Sequence, residues 1–191
     1  MRAGITTAGI TTSLIHEALT LFLMTQSKAT NIPLFLFFRV QLILLSRMRL
    51  TATELTITTV FSQYVTYFAF GGSNAISSVD LSSAYNGIAG YNVILVGILT
   101  FAGNWAGPIW WSAATRLILP SKGVSKTWDR VCLLTLHITT SLLSAMGACT
   151  ALRSHLFVWT VFSPKFLYAV AWSMLSHAAV NILLEVGIAS F

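Results

Sequence analysis

Polar side chains that could bind a ligand are concentrated in one glycine-rich loop, GGSNAISSVDLSSAYNG, at positions 71–87. Glycine gives such a loop backbone freedom, and Asn-Gly favours a tight turn. The side chains could hold a sugar or a phospholipid head group, and the candidate binding residues are Asn74, Ser77, Asp80 and Asn86. Serine and aspartate also cap helices, so a short capped connecting helix without a ligand is the alternative. The residue types alone favour that structural interpretation.

A second cluster, NWAGPIWW, occupies positions 104–111. In a groove for a lipid-linked substrate, Asn104 would donate hydrogen bonds and Trp105 would stack on a sugar or lipid. The alternative is that Trp110 and Trp111 anchor a helix end at the membrane surface, while the proline bends that helix. We favour this second interpretation, because tryptophan is common at membrane interfaces.

A third candidate is the aromatic segment HLFVWTVFSPK, which His155 and Lys165 bracket. Its composition predicts a short helix lying in the membrane interface. His155 and Lys165 could contact a head-group phosphate, or they could simply extend their polar ends toward water. The candidate binding residues are therefore Asn74, Ser77, Asp80, Asn86, Asn104, Trp105, His155 and Lys165.

The sequence contains no motif of a catalytic centre. Neither a phosphate-binding GxxxxGK[ST] nor a zinc-binding HExxH occurs. The four histidines lie in separate segments, and the five acidic residues are too dispersed to predict a metal site. We therefore expect no catalytic residue, metal or cofactor in this chain.

The remaining ionisable groups are expected to have structural partners. Glu54 follows Arg47 and Arg49 closely, so we expect an ion pair at a helix end. His177 and Glu185 lie within an apolar run, where burial of a charge requires a partner or water. Interhelical hydrogen bonding is the favoured interpretation for both.

The elements that must position these residues are membrane helices. The chain is 55% hydrophobic and 8% charged, with a mean hydropathy of +0.78, whereas soluble domains carry about 25% charged residues. The fold class is therefore all-α, a polytopic membrane helix bundle in a single domain over 1–191. The net charge of +6 comes from basic residues in the breaks between apolar runs, so we predict no nucleic-acid partner.

The apolar runs predict about four to six transmembrane helices and the short interfacial helix at 153–165. Segment 33–46 is short for a crossing and contains Arg39 and Gln41, so it could be re-entrant or interfacial. Cys132 and Cys149 share one run and are expected to be buried thiols. The predicted helices lie at 5–25, 33–46, 50–70, 91–111, 131–152 and 166–189.

Charge asymmetry gives this layout a direction. The breaks at 47–49 and 116–130 hold six basic residues, whereas those near 28, 71–90 and 153–165 hold three. Cytoplasmic loops carry the excess of Lys and Arg. The loop at 71–90 and the segment at 153–165 are therefore predicted to face the lumen, and Trp110 and Trp111 the cytosolic interface.

Three stretches resemble one family. NIPLFLFFRVQ with LTATELTITT, FGGSNAISSVDLSSAYNGIAGYN with NWAGPIWW, and HLFVWTVFSPKFLY are similar to the carboxyl-terminal membrane region of the GPI ethanolamine phosphate transferases. The likeness is to the fungal form that modifies the second mannose of the GPI core. It covers most of the chain from Asn31 onward, and its central part is specific rather than compositional.

The resemblance implies a multi-pass protein of the endoplasmic reticulum membrane that acts in GPI-anchor biosynthesis. Enzymes of this family transfer phosphoethanolamine from phosphatidylethanolamine to a mannose of the GPI precursor. Their chemistry is in a lumenal alkaline-phosphatase-like domain with a threonine nucleophile and zinc, and no residue of this chain matches it. The resemblance thus implies that this chain anchors the enzyme and presents phosphatidylethanolamine and the GPI precursor, with a small membrane subunit as a further partner.

Two other functions stay open at this point. A small transporter or channel could use Glu54, His177 and Glu185 along a pore, although no internal repeat supports it. A non-catalytic membrane scaffold, whose helices assemble with a partner, is the other. By its resemblance, the chain is expected to be a fragment of a larger enzyme.

Overall fold

The computed structural model describes residues 7–71, 88–123 and 127–155, together with Leu81 and Leu175. Within these ranges all regular structure is helical, which confirms the predicted all-α class. Short 3₁₀ turns at Ala29–Asn31 and Leu119–Lys122 connect or extend the helices. The helices are α1 (Thr7–Gln26), α2 (Ile32–Arg47), α3 (Ala52–Ala69), α4 (Val93–Asn104), α5 (Ala106–Ile118) and α6 (Thr127–Ala151).

Local sequence signals explain several helix starts. Pro33 lies in the first turn of α2, where the missing N–H would have no helical acceptor. Asn92 caps α4 by accepting hydrogen bonds from the backbone N–H groups of Ile94 and Leu95.

The start of α3 is a capping box. The backbone N–H of Thr51 donates to the Glu54 carboxylate at 2.8 Å, and the Glu54 N–H donates to the Thr51 hydroxyl at 3.3 Å. Glu54 therefore caps its own helix and does not form the expected ion pair with Arg47 or Arg49. Because Glu54 lies three residues after Thr51, its carboxylate reaches back to the Thr51 backbone N–H.

The centre of the bundle is α5. Of its 13 residues, all but Leu117 are buried, and it packs mainly against α3 and α1. Small residues allow this close approach, since a Cβ added to Gly107 would lie 2.6 Å from the Thr66 Cβ. The other end of α5 continues into the turn where Lys122 Nζ donates to the Met48 carbonyl at 2.7 Å.

Helix α3 has polar residues on its inner face and apolar residues on its outer face. Thr56, Thr59 and Gln63 are fully buried, while Phe61 is 65% exposed and Ile57 53% exposed. A soluble protein has the opposite arrangement, because water favours polar groups outside. Exposed aromatic and aliphatic side chains around an internal polar face are expected of helices whose solvent is lipid.

The predicted crossing at 91–111 is not one helix. It breaks at Trp105, and α4 and α5 meet at an angle of 77°. Gly107 and Pro108 lie in the first turn of the new helix, so the predicted proline-associated break occurs slightly earlier than expected. Instead of ending at the tryptophan pair, the chain turns into the core and continues to Ile118.

Length and hydropathy identify few complete spans among the described residues. Ala29–Arg47 meets both conditions alone, and the bent pair α4–α5 meets them if its two helices form one span. This result supports the segment at 33–46 as a membrane-length helix, although the sequence had left its status open. The number of crossings stays a prediction.

Other predicted segments have mixed outcomes. The helices expected at 5–25, 33–46, 50–70 and 131–152 are confirmed as helices with small changes of boundary. Cys149 is buried as expected, whereas Cys132 is exposed. Most of the interfacial segment at 153–165 and of the helix at 166–189 lies outside the described residues.

Candidate functional site

An ion pair joins the middles of α1 and α2. Arg39 Nη2 contacts Glu17 Oε1, and their side chains are 41% and 45% exposed. The two helices are consecutive and linked by the short turn at Ala29–Asn31. The pair thus lies on an outer face of the bundle, where large apolar side chains such as Leu14 and Leu36 are 64% and 70% exposed.

A groove of about 490 Å³ runs between α1 and α2 and includes this ion pair. This volume is within the range of small-molecule sites in proteins. Apart from the ion pair and one threonine, its walls are apolar. The side chains that line it include Glu17, Thr20 and Met24 from α1 and Pro33, Leu36 and Arg39 from α2.

Trp110 of α5 forms the inner wall of the groove. Its indole Nε1 donates to Thr20 Oγ1 at 2.9 Å, and Thr20 Oγ1 in turn donates to the His16 carbonyl at 2.7 Å. The Trp110 ring also meets the His16 ring edge-on, with centroids 4.8 Å apart. These contacts fix α1 against the central helix, so the groove has a rigid inner side.

Asn104 and Trp105 have structural environments at the α4–α5 bend. The Asn104 side chain donates to the Thr100 carbonyl at 2.9 Å. Trp105 is 7% exposed and stacks on Phe101 and Tyr67, with centroids 5.1 and 6.3 Å apart. The structure therefore brings both residues into the packing of the bend, and does not place them on the walls of the groove.

The predicted role of Trp110 and Trp111 as surface anchors is wrong. Both side chains are 0% exposed, and both rings pack against Phe38, at 5.5 and 6.0 Å. The 77° bend at Trp105 turns these residues into the bundle, so they do not reach its end. The aromatic core they form was not predicted.

His155 follows α6 and is exposed, and its backbone N–H donates to the Leu152 carbonyl at 3.0 Å. Its predicted head-group contact is not tested by this position. The other predicted binding residues lie outside the described residues: Asn74, Ser77, Asp80, Asn86 and Lys165.

The sequence contained a signal for the ion pair that composition and motifs do not show. Glu17 and Arg39 lie eleven residues before and after Lys28, within two apolar runs joined by a short break. When two such helices fold back on each other, residues equidistant from the turn lie at the same level. Opposite charges in that arrangement predict an ion pair.

These observations define the class of protein. The described residues form an all-α bundle with large apolar side chains on its surface and with polar side chains of α3 among its buried residues. It belongs to the family described as the GPI ethanolamine phosphate transferase membrane region, which it matches over residues 2–191.

Curated relatives share this family and are named GPI ethanolamine phosphate transferase 2. The chain is 59% identical to the Aspergillus oryzae protein over 174 residues, which is 91% of this chain and 20% of that protein. It is 58% identical to the Aspergillus fumigatus protein over 82% of this chain and 20% of the relative. Identity to the Schizosaccharomyces pombe protein is 32% over 84% of this chain and 20% of the relative.

The chain spans about a fifth of the length of these relatives, in each of the three comparisons. The family match assigns the chain to the membrane region of these relatives. No solved structure matches the chain.

Proposed function

We propose that this chain is the membrane part of an enzyme that transfers phosphoethanolamine from phosphatidylethanolamine to the second mannose of the GPI precursor. It anchors the enzyme as a multi-pass protein of the endoplasmic reticulum membrane and presents the two lipid substrates. The phosphoryl transfer itself takes place in a separate lumenal domain, with zinc and a threonine nucleophile. That domain belongs to the part of the relatives that this chain does not cover.

The family match carries this proposal, and the distribution of polar and apolar residues supports it. The outer faces of α1, α2 and α3 are apolar, which suits contact with lipid chains. The groove between α1 and α2 gives one of these faces a charged interior that a lipid head group could reach.

A partner subunit fits the same proposal. The bundle exposes long apolar side chains, including Phe37 at 76% and Ile94 at 73%, and some of this surface would pack against the remaining helices of the enzyme or a small membrane subunit. The transporter and the unrelated scaffold are not favoured, because the family match supplies a more specific role.

A chimera tests the proposal. This chain would replace the matching region of the Aspergillus oryzae relative, and the chimera would be expressed in cells that lack the type-2 enzyme. We expect it to restore phosphoethanolamine on the second mannose, as measured by mass spectrometry of GPI precursors. The proposal would be contradicted if the chimera accumulated in the membrane at a normal level but left the precursors unmodified.

One control defines what the chain contributes. The chain alone, expressed in the same cells, is expected to give no modification, because the transfer chemistry is in the other domain. Restoration by the chain alone would show that it contains catalytic groups of its own.

A further inference from the structure

The Glu17–Arg39 pair occupies an unusual position for two charged groups. It lies midway along two apolar helices, and each side chain remains nearly half exposed. Ionisable groups within membrane segments normally face the bundle interior or a water-filled cavity, and they mark functional paths. A charged pair on a lipid-type surface therefore requires a polar ligand or partner to cover it.

The two side chains also have unused hydrogen-bonding capacity. A guanidinium has five N–H donors and a carboxylate accepts several hydrogen bonds. Among the described residues, neither side chain has a hydrogen-bond or ion-pair partner other than its counterpart. A ligand that carries both a cation and an anion could add contacts to both groups without leaving either charge unpaired.

We propose that the groove between α1 and α2 binds the head group of a phospholipid that carries a primary ammonium and a phosphate. Glu17 holds the ammonium and Arg39 holds the phosphate. This inference rests on the proposed function, because it gives the phosphoethanolamine donor a place on this chain. Guanidinium groups bind phosphate oxygens in a bidentate manner, and a primary ammonium donates hydrogen bonds to a carboxylate.

The shape of the groove fits such a lipid. Its wall on α2 runs from Pro33 through Leu36 to Arg39, which lie at successive turns of one helix face. At 1.5 Å per residue, this path from the helix start is about 10 Å long. A head group can thus enter from the α1–α2 turn and reach the ion pair, while its acyl chains stay in the bilayer along the open side.

The chemistry predicts which phospholipids bind. Phosphatidylethanolamine offers both charges and an ammonium that donates hydrogen bonds. Phosphatidylcholine has a quaternary ammonium without N–H donors, and phosphatidylglycerol has no cation. The loss of one charge-assisted hydrogen bond corresponds to about a tenfold weaker binding, so phosphatidylethanolamine should bind about tenfold more tightly than either of the other two.

Native mass spectrometry of the purified full chain in detergent micelles tests this order. The three phospholipids would have identical acyl chains and equal concentrations. We expect preferential retention of phosphatidylethanolamine by the unchanged chain. Equal retention of all three phospholipids would show that the groove binds acyl chains only, and would overturn the proposal. A chain that retains no lipid and forms a dimer through this face would also overturn it.

Variants at the ion pair test the two assigned contacts. Glu17→Gln should remove the preference over phosphatidylglycerol, and Arg39→Gln should lower retention of all three lipids. Glu17→Asp and Arg39→Lys keep the charges and are the matched controls, so they should keep most of the preference. An unchanged preference in both Gln variants, with helical content preserved in circular dichroism, would overturn the assignment.

The lipid series on the unchanged chain decides the proposal even if the Gln variants unfold. It is also independent of the chimera, because it needs neither the GPI precursor nor the lumenal domain. A functional chimera without lipid preference would contradict this inference alone. A clear preference in a chain whose chimera fails would contradict the proposed function alone.

Discussion

Gly107 is the residue that allows α5 to pack directly on α3. An added Cβ would lie 2.6 Å from the Thr66 Cβ and 2.8 Å from its hydroxyl. Thr66 is buried and its hydroxyl donates to the Ser62 carbonyl, so it has little freedom to move. We expect Gly107→Ala to destabilise the bundle by about 1–3 kcal/mol, which is the usual cost of overpacking. Titration with a denaturing detergent, followed by circular dichroism, measures the change.

Gly97 in α4 provides the matched control for this substitution. An added Cβ there meets no atom within 4 Å, and alanine has the higher helix propensity. Gly97→Ala should therefore leave the unfolding midpoint unchanged or raise it slightly. Equal effects of the two substitutions would mean that the α3–α5 contact is looser than described.

Asn74 and Asp80 test the role of the glycine-rich loop at the residue scale. Both lie outside the described residues, so this prediction depends on the sequence. If their side chains bind a substrate head group or sugar, Asn74→Ala or Asp80→Ala in the chimera should lower GPI modification at an unchanged protein level. Mass spectrometry of the precursors and immunoblotting would measure the two quantities. Normal modification in both variants would identify the loop as a connector.

At the scale of the element, α3 turns buried polar side chains toward the interior of the bundle. Gln63 is fully buried, and neither amide atom has a hydrogen-bond partner among the described residues. An unpaired buried amide costs about 1–3 kcal/mol. Gln63→Met, which keeps the length of the side chain, should leave the stability unchanged or raise it by about 1 kcal/mol, as measured in the same detergent titration.

Phe61 allows the reverse substitution on the same helix, from an apolar to a polar side chain. It lies on the outer face and is 65% exposed, so Phe61→Gln would place an amide toward lipid, where polar groups are unfavourable. We expect lower stability and lower membrane insertion for this variant.

The prediction for Gln63→Met would be contradicted by strong destabilisation of that variant. Such a result would show that the Gln63 amide is paired with a group outside the described residues.

The sequence predicted the elements better than their packing. The apolar runs indicate helices, and those expected at 5–25, 33–46, 50–70 and 131–152 are confirmed. The Thr51–Glu54 capping box was not predicted, because Glu54 was expected to pair with Arg47 or Arg49. The α4–α5 bend was not predicted as a turn into the core, because tryptophan is compatible both with an interface and with a buried aromatic cluster. Only the tertiary contacts of Trp110 and Trp111 separate the two environments.

The same reason limits prediction of the candidate site. Arg39 was recognised as a charge within an apolar run, but its pairing with Glu17 depends on how α1 folds back on α2. Asn104 and Trp105 were selected by residue type, and the structure places both at the α4–α5 bend. Residue types identify possible ligands, and the fold decides which of them meet.

At the scale of the whole molecule, the α4–α5 bend allows two topologies. If the bent pair is one broken span, its two ends lie on opposite sides of the membrane. If it is re-entrant, both ends lie on the same side. The basic residues favour opposite sides, and the hydrogen bond from Lys122 to the Met48 carbonyl places the ends of α2 and α5 together. Both helix ends lie in the breaks at 47–49 and 116–130, which the charge count predicts to be cytosolic.

Glycosylation mapping distinguishes these topologies, because the chain has no Asn-x-Ser/Thr acceptor of its own. An acceptor in a flexible linker would be inserted into the loop at 82–87 or, separately, into the break at 121–126. We expect glycosylation of the first variant only, detected as a mobility shift that an endoglycosidase reverses. Glycosylation of both variants would indicate that the bent pair is re-entrant. It would also indicate that the basic break lies in the lumen, against the charge count. Modification of the second alone would invert the predicted orientation and turn the glycine-rich loop away from a lumenal catalytic domain.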